Sequence, residues 1–350
     1  MIRIEKNISL LPFNTFGVDV NAAYLFHLRE PEELKELAAH PVFCGLSTEL
    51  SNLLIMGQGS NILFTSDFDG LVIRNEIKGI SIIEEDEYGI LIEAGAGVLW
   101  QDMVEYAVSN NLAGIENLTL IPGTVGAAPV QNIGAYGVEA ADTIVKVRLF
   151  HLGTKEWTEL GNHECRFGYR DSIFKHELKN RAVVCSVTFR LSKRVQPRLD
   201  YGNIREELEK SGITDPSLRQ ISDVIAYIRR LKLPDHAELG NAGSFFKNPL
   251  ISRDEFHGLS NSFPQVRYFR QGEEYKISAG WLIEQAGWKE RRIGKAGCYD
   301  KQALILVNYG GAAGAEILSL AEQIRESVLD KFGISLEREV EIVPQAQTFQ

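Results

Sequence analysis

The chain has 350 residues, 44% of them hydrophobic and 24% charged, with a formal net charge of −10. That length supports two or three domains with real cores. The acidic balance argues against a nucleic-acid partner, which would need clustered lysine and arginine to neutralise phosphate. Short basic pairs, Arg229–Arg230 and Arg291–Arg292, suit one small anionic ligand better.

The opening stretch, MIRIEKNISLLPFNTFG, has neither a continuous apolar core nor a cleavage site, so no signal peptide is expected. Short strand-like runs follow, separated by glycine turns: NLLIMGQGSNILF, GLVIRN and ISIIEEDEYGILIEAGAG. The next segment, LWQDMVEYAVSNNL, places Met103, Ala107 and Val108 at helical spacing. Strand character returns over residues 143–192, in TIVKVRLFHL and RAVVCSVTFRL. Beyond residue 200 the texture turns helical. SDVIAYIRRLKLP reads as a helix with Ser222 as N-cap, Ile225 and Ile228 on one face, and Pro234 beyond its end. AEILSLAEQIRESVLDKF carries Ile317, Leu320, Ala321, Ile324 and Val328 on one stripe, and a strand, SLEREVEIV, follows it. The fold class expected is α+β, with a domain boundary near residue 205. The four cysteines (Cys44, Cys165, Cys185, Cys298) form no CxxC and no histidine sits at metal spacing, so neither a metal site nor a disulfide framework is expected. The chain reads as a reduced, cytoplasmic protein without membrane partners.

Two glycine-rich elements carry the first chemical signal. MGQGSN spans residues 56–61, and IPGTVGAAPVQNIGAYG spans residues 121–137 without one charged side chain. Glycine lets backbone amides approach a ligand with no Cβ in the way, and inward-pointing amides make a nest for a pyrophosphate. The turn at Gly57–Gly59 alone reads as an ordinary tight turn, because no GxGxxG links a strand to a helix there. The longer stretch, with Gln131, Asn132 and Tyr136 embedded, is harder to explain as an exposed loop, which would be more hydrophilic.

Three further stretches hold candidate chemical groups. In CRFGYRDSIF, the segment alone favours a surface Arg170 paired with neighbouring Asp171; the functional reading is a guanidinium that binds a carboxylate through two parallel hydrogen bonds. In NAGSFFKNP, Ser244 lies in a turn; it could be a cap, or it could protonate a strongly basic carbanion or enolate. No GxSxG motif and no placed histidine support an acyl-transfer nucleophile. In SLEREVEIV, strand alternation puts Leu336, Val340 and Ile342 on one face and Glu337, Glu339 and Glu341 on the other. That acidic face is either solvated or partly turned into a cleft.

Seven segments in order, NTFGVDVNA, GQGSNILF, IPGTVGAAPVQNIGAYG, CRFGYRDSIFK, NAGSFFKNP, AGWLIEQAG and LEREV, resemble the UDP-N-acetylenolpyruvoylglucosamine reductases, flavoenzymes of peptidoglycan precursor synthesis. They span nearly the whole chain. The resemblance implies an FAD-binding module of the vanillyl-alcohol-oxidase (PCMH) type in two α+β subdomains over residues 1–205. A substrate-binding domain would cover 206–350, its last helix and strand returning to the first part. It implies noncovalent FAD held by Gly57, Gly59, Ser60, Asn61, Pro122, Gly123, Thr124, Gly126, Gln131, Asn132, Gly134 and Tyr136, with NADPH as reductant. It implies Arg170, Ser244 and Glu339 as catalytic groups, Ser244 being the proton donor. Tyr201, Lys232, Asn248, Tyr268, Lys289 and Gln302 would contact the UDP-sugar enolpyruvate or NADPH. Tyr201 with YRDSIF suggests the subtype whose tyrosine loop covers the sugar nucleotide, acting as a monomer. The sequence departs from the family pattern at Tyr299, where many relatives have histidine, and at Arg338, where proline is common. Other readings are an FAD oxidoreductase with another substrate and a sugar-nucleotide-binding protein without redox chemistry.

Overall fold

The computed structural model describes residues 2–46 and 52–344. By its internal contacts the chain divides into two units. One holds the described residues of Met1–Ile8, Ala22–Gly59 and Phe68–Arg230; the other holds those of Ser9–Asn21, Ser60–Asp67 and Leu231–Gln350. Helices and strands are mixed throughout both, an α+β fold. Among the described residues no helix is long and apolar enough to cross a membrane.

The first unit contains two larger sheets, beside a short pairing of Gly134–Ala135 with Val138–Glu139. Four strands lie in the order Ile4–Ser9, Asn21–Leu28, Phe68–Asn75, Leu53–Met56, and the last three are parallel neighbours. Phe68–Asn75, in the interior, is buried almost throughout, as a two-sided apolar strand should be. The second sheet is antiparallel, in the order Trp157–Gly161, Ile144–His151, Ala182–Ser192, Gly89–Gly95, Ile80–Glu85.

Its middle strand, Ala182–Ser192, buries both faces, so its apolar run AVVCSVTF shows no alternation. Val183 and Cys185 join the core with Phe26, Leu28 and Phe150. Val184 faces the other core, built around Trp100 and Met103 of the helix Trp100–Ser109, and so do Val187, Phe189 and Leu191. The inward set thus changes from even to odd numbers. The cause is a register irregularity opposite Arg148 and Leu149, whose partners are Ser186 and Val184.

The helix expected from an N-cap at Ser222 to a stop before Pro234 begins earlier, at Leu218, and ends at Lys232. Ser222 is not its N-cap. Ser217 plays that part: its hydroxyl accepts from the Gln220 amide, while the Gln220 side chain accepts from the Ser217 amide. Ser222 is instead buried against Thr119, hydroxyl to hydroxyl at 2.8 Å. Ile221, Ile225 and Ile228 pack with Leu199, Ile204 and Leu208, and Tyr136 lies on this cluster. The contacts therefore carry residues 206–230 with the first unit, past the boundary expected near 205.

In the second unit, an antiparallel sheet runs Gly240–Ser244, Ile305–Asn308, Ala296–Cys298, Arg292–Ile293. A smaller one runs Leu250–Ile251, Glu274–Ile277, Tyr268–Gln271. The helix Gly314–Phe332 buries the expected stripe of Ile317, Leu320, Ala321, Ile324 and Val328. The strand expected over 335–343 is regular only at Glu341–Val343, where it runs parallel to Ile62–Phe64. That partner is only three residues long, and residues 337–339 turn to another one: Lys247 donates to the Glu337 carbonyl, and Glu339 donates to the Phe245 carbonyl, each at 2.8 Å.

Gly314 opens the long helix against the Phe64 carbonyl, with room for no side chain: a Cβ there would lie 1.7 Å from that oxygen. Gly314→Ala should cost about 1–3 kcal/mol through overpacking, seen as a lower urea midpoint at unchanged slope. A midpoint equal to that of the parent protein would show that the helix can shift away at no cost.

Candidate active site

The uncharged stretch 121–137 is laid against its own chain. Val125 donates to the Val98 carbonyl at 2.9 Å, Gly126 donates to Ala96 at 2.8 Å, and Trp100 donates to Gly123 at 3.0 Å. Gly123 in turn donates to the Gln58 side chain at 2.8 Å, which ties the GQGSN turn to the loop. A Cβ on Gly57 would meet Thr124 Oγ1 at 2.3 Å, and one on Gly126 would meet the Ala96 Cβ at 2.5 Å. Close packing of loop on loop is therefore one reason for these glycines, beside any ligand. Asn132, expected to face the cofactor, is buried: its amide donates to Glu139 and Gly168 and accepts from Ala141. Its side chain builds the loop from inside.

Gly57, Gln58 and Thr124 border a cavity of about 590 Å³. Arg29, Arg74 and Lys78 also line it, against Glu30 and Glu76, leaving one positive charge in excess. None of these three cations stands in a local sequence pattern that marks it for a site. The parallel pairing of Asn21–Leu28 with Phe68–Asn75, with His27 opposite Arg74, is what gathers them at the carboxyl ends of the strands, a usual place for a ligand. Glu76 bonds His27 at 3.1 Å and pairs with Arg74 at 3.1 Å and Arg29 at 3.5 Å. Burial opposes its ionisation, but the hydrogen bond with His27 and the neighbouring positive charges outweigh burial and hold its carboxyl below the usual range. A glycine-bordered cavity with a cationic excess fits a group that carries a diphosphate.

Arg170 sits in the left-handed region at φ 54°. Its guanidinium donates to the Gly134 carbonyl at 2.6 Å and to the Asn132 carbonyl at 3.5 Å. Asp171, the alternative partner, takes a 2.8 Å hydrogen bond with His176. The loop carbonyls thus aim the Arg170 fork. Arg229, from the basic pair Arg229–Arg230, lies nearby. Its Nη2 donates to the Leu120 carbonyl at 3.2 Å, and its Nε is buried with no hydrogen-bond partner. Burial pushes this guanidinium below its ordinary value; hydrogen-bonded Tyr136 opposes the fall and the like charge of Arg170 adds to it. Tyr201 completes the cluster. Its ring lies over Gly137, and burial raises its hydroxyl while Arg170 draws it back. Two guanidiniums and two phenols in one place form a site that wants an electron-rich, anionic ligand.

The second unit gathers the other candidates. Ser244 ends the strand Gly240–Ser244 opposite Ile305 and precedes no helix, so it is not a cap. Its hydroxyl makes no hydrogen bond among the described residues. The next residue, Phe245, donates to the Leu304 carbonyl and accepts from the Glu339 amide. Of the three glutamates, Glu337 is exposed and paired with Lys247 at 2.5 Å, whereas Glu339 is half-buried beside the Ser244 strand end. Arg338 bridges to Phe246 in the main chain and pairs with Glu322 at 3.5 Å, so the residue in place of the common proline is itself anchored.

Asn248 accepts from the Ala279 amide at 2.9 Å, and a Cβ on Gly280 would lie 2.7 Å from Gln302 Oε1, so both side chains converge on the start of the helix Ala279–Gln285. Lys289 pairs with Glu284 of that helix at 3.0 Å. Tyr268 is 47% exposed and packs on Phe256, and Lys232 is exposed at its helix end. Among the described residues no group of three or more histidine, cysteine or acidic side chains could hold a metal. Burial pushes the thiols of Cys165, Cys185 and Cys298 up to about 12, which leaves them inert.

Comparison with known proteins accounts for both halves of this arrangement. Residues 31–159 match the family model of an FAD binding domain, and residues 235–343 match that of the UDP-N-acetylenolpyruvoylglucosamine reductase C-terminal domain. The UDP-N-acetylenolpyruvoylglucosamine reductase of Flavobacterium johnsoniae is 43% identical over 98% of this chain and 100% of its own. That of Pseudomonas aeruginosa is 45% identical over 97% of this chain and 98% of its own. The crystal structure of UDP-N-acetylenolpyruvylglucosamine reductase from Thermus caldophilus superposes with a TM-score of 0.66 at 25% identity, over 98% of this chain and 99% of that one. With such identity over almost the full length of its relatives, and with the FAD-binding domain ahead of the reductase C-terminal domain, the chain belongs to the UDP-N-acetylenolpyruvoylglucosamine reductase family.

Proposed function

We propose that the chain catalyses the NADPH-dependent reduction of the enolpyruvyl group of UDP-N-acetylglucosamine enolpyruvate to UDP-N-acetylmuramate. The observation that carries this reading is the placement of Ser244, whose unbonded hydroxyl ends a strand directly before Phe245, the residue that holds the Glu339 amide. FAD, when bound, supplies the hydride chemistry that no side chain can, accepting from NADPH and delivering to C3 of the enolpyruvyl group.

The main chain of Gly57, Gly59 and Ser60, with Asn61 and the loop from Pro122 to Tyr136, holds this cofactor. Arg29, Arg74 and Lys78 add charge balance for its diphosphate. Arg170 binds the substrate carboxylate and stabilises the charge that develops on C2, worth ~3–4 kcal/mol in comparable oxyanion sites. Ser244 protonates C2, which is feasible because an enolate is a far stronger base than water. Glu339 orients the carboxylate while protonated, since two facing anions would repel. Arg229 is a second cation for the same anionic region. Tyr201 covers the sugar nucleotide, and Lys232, Asn248, Tyr268, Lys289 and Gln302 contact it or NADPH.

FAD should be noncovalent, because the GQGSN turn and the 121–137 loop offer no histidine or cysteine to the flavin ring. Acid precipitation should release the yellow colour into the supernatant; colour kept in the pellet would contradict this.

Arg170→Lys should keep the fold and lose most turnover, since an ammonium cannot reproduce the planar fork that the Gly134 and Asn132 carbonyls aim. Turnover at the parental rate would remove Arg170 from the chemistry.

Ser244→Ala tests the reading as a whole. Stopped-flow absorbance should show NADPH reducing the flavin at a near-normal rate, while reoxidation by the enolpyruvyl sugar nucleotide slows by at least ~10²-fold, the lower scale for a lost general acid. Ser244→Cys should recover part of that rate. Equal slowing of both steps would point to damaged flavin binding, and slowing of neither would leave Ser244 as a strand end only.

A further inference from the structure

The residue that closes the GQGSN turn, Asn61, grips the Glu339 segment. Its side-chain Nδ2 donates to the Glu339 carbonyl at 3.1 Å, and its own carbonyl accepts from the Glu341 amide at 3.0 Å. It therefore brackets Val340 with side chain and main chain together. Beyond it, Glu341–Val343 continues alongside Ile62–Phe64, and Thr65 donates to the Val343 carbonyl at 2.8 Å. On the opposite side, the Glu339 amide is held by the carbonyl of Phe245. The peptide unit at Glu339 is thus clamped through its N–H by the residue after Ser244, and through its C=O by the residue after Ser60.

We infer that Asn61 is a positioning residue for Glu339, and that it makes the order of the cofactor turn and the placement of that carboxyl one linked event. The inference rests on the role given to Glu339 above. Of the two clamps, the one from Phe245 is a main-chain bond that no substitution removes. The one from Asn61 comes from a side chain, so it is the adjustable one. A carboxyl group displaced by about 1 Å from its working position can lose ~10²-fold in rate, far more than the stability of one hydrogen bond would suggest. Because Asn61 follows Gly57, Gly59 and Ser60 directly, any ligand that fixes this turn also fixes the donor to Glu339, and thermodynamic linkage makes the effect reciprocal.

The bond at Asn61 is directional, and this supplies the test. Asn61→Asp keeps size and shape but replaces the donor by an oxygen that repels the Glu339 carbonyl; Asn61→Ala removes the group. Both keep the main-chain bond to Glu341. With each variant saturated in FAD, the limiting rate of reoxidation by the enolpyruvyl sugar nucleotide should fall ~10–10²-fold at unchanged half-saturation, the pattern of a group felt only in the transition state. In a Glu339→Gln background, the same substitutions should add less than about 2-fold, because their effect runs through the carboxyl already removed. Full, multiplicative slowing in that background would overturn the inference, as would a parental reoxidation rate once the variant is saturated in FAD, which would make Asn61 a cofactor ligand alone. A parental rate for Glu339→Gln by itself would instead bring down the role of Glu339, and this inference with it.

Discussion

The candidate chemistry of the second unit hangs on one main-chain hydrogen bond, from the Glu339 amide to the Phe245 carbonyl. It joins two segments more than ninety residues apart in sequence, one ending a strand with Ser244 and the other leading into the parallel pair of Glu341–Val343 with Ile62–Phe64. A backbone bond of this kind is indifferent to side-chain identity, so it leaves Ser244 and Glu339 free to be chosen for chemistry. Residues that cannot be chosen freely surround it. Phe245 and Phe246 are fully buried and meet edge to face at 5.2 Å, and Phe16 packs on Phe245 at 6.3 Å. The apolar pair after the serine therefore fixes the strand end, and the serine is left at its rim.

A comparable division of labour holds in the first unit. The loop 121–137 and the residue before it have to supply carbonyls at fixed points, since the Gly134 and Asn132 carbonyls aim Arg170 and that of Leu120 receives Arg229. Fixing an irregular backbone requires that it be packed, and packing at these distances tolerates only small side chains: at Gly57 and Gly126 a Cβ would overlap Thr124 and Ala96. The absence of charge follows from the same requirement, because much of the stretch is buried against the core of Trp100 and Met103. The positive charge of the site is provided by groups outside the loop.

Much of this was legible in the sequence. The helix stripes at 100–109 and 314–332, the strand runs, the uncharged loop, and Arg170, Ser244 and Glu339 each carry a local pattern or a family motif. Three things were not. The cations Arg29, Arg74 and Lys78 come from separate strands and turns and meet only through parallel pairing, whose register no local pattern encodes. Serine before an apolar stripe is the usual cap signal, which points to Ser222, yet SLRQ, starting five residues earlier, supplies a reciprocal cap and leaves Ser222 buried inside the helix. The regular strand at the C-terminal end is shorter than its alternation suggests, because strand length is set by the partner and Ile62–Phe64 offers only three residues.

What the sequence determined by itself was the inventory: apolar periodicity for each long element, glycines where side chains have no room, and the side chains capable of binding an anion or giving up a proton. Those properties depend on neighbours a few residues away, and local physics suffices to read them. Only the tertiary structure decided the partnerships. It chose which of three glutamates stands beside the serine strand, turned Asn132 inward to brace a loop, carried residues 206–230 with the first unit, and set Asn61 against the Glu339 carbonyl across 278 residues. Such choices rest on register, on bulges and on the lengths of partner strands. These are properties of pairs of segments, and neither segment carries them alone.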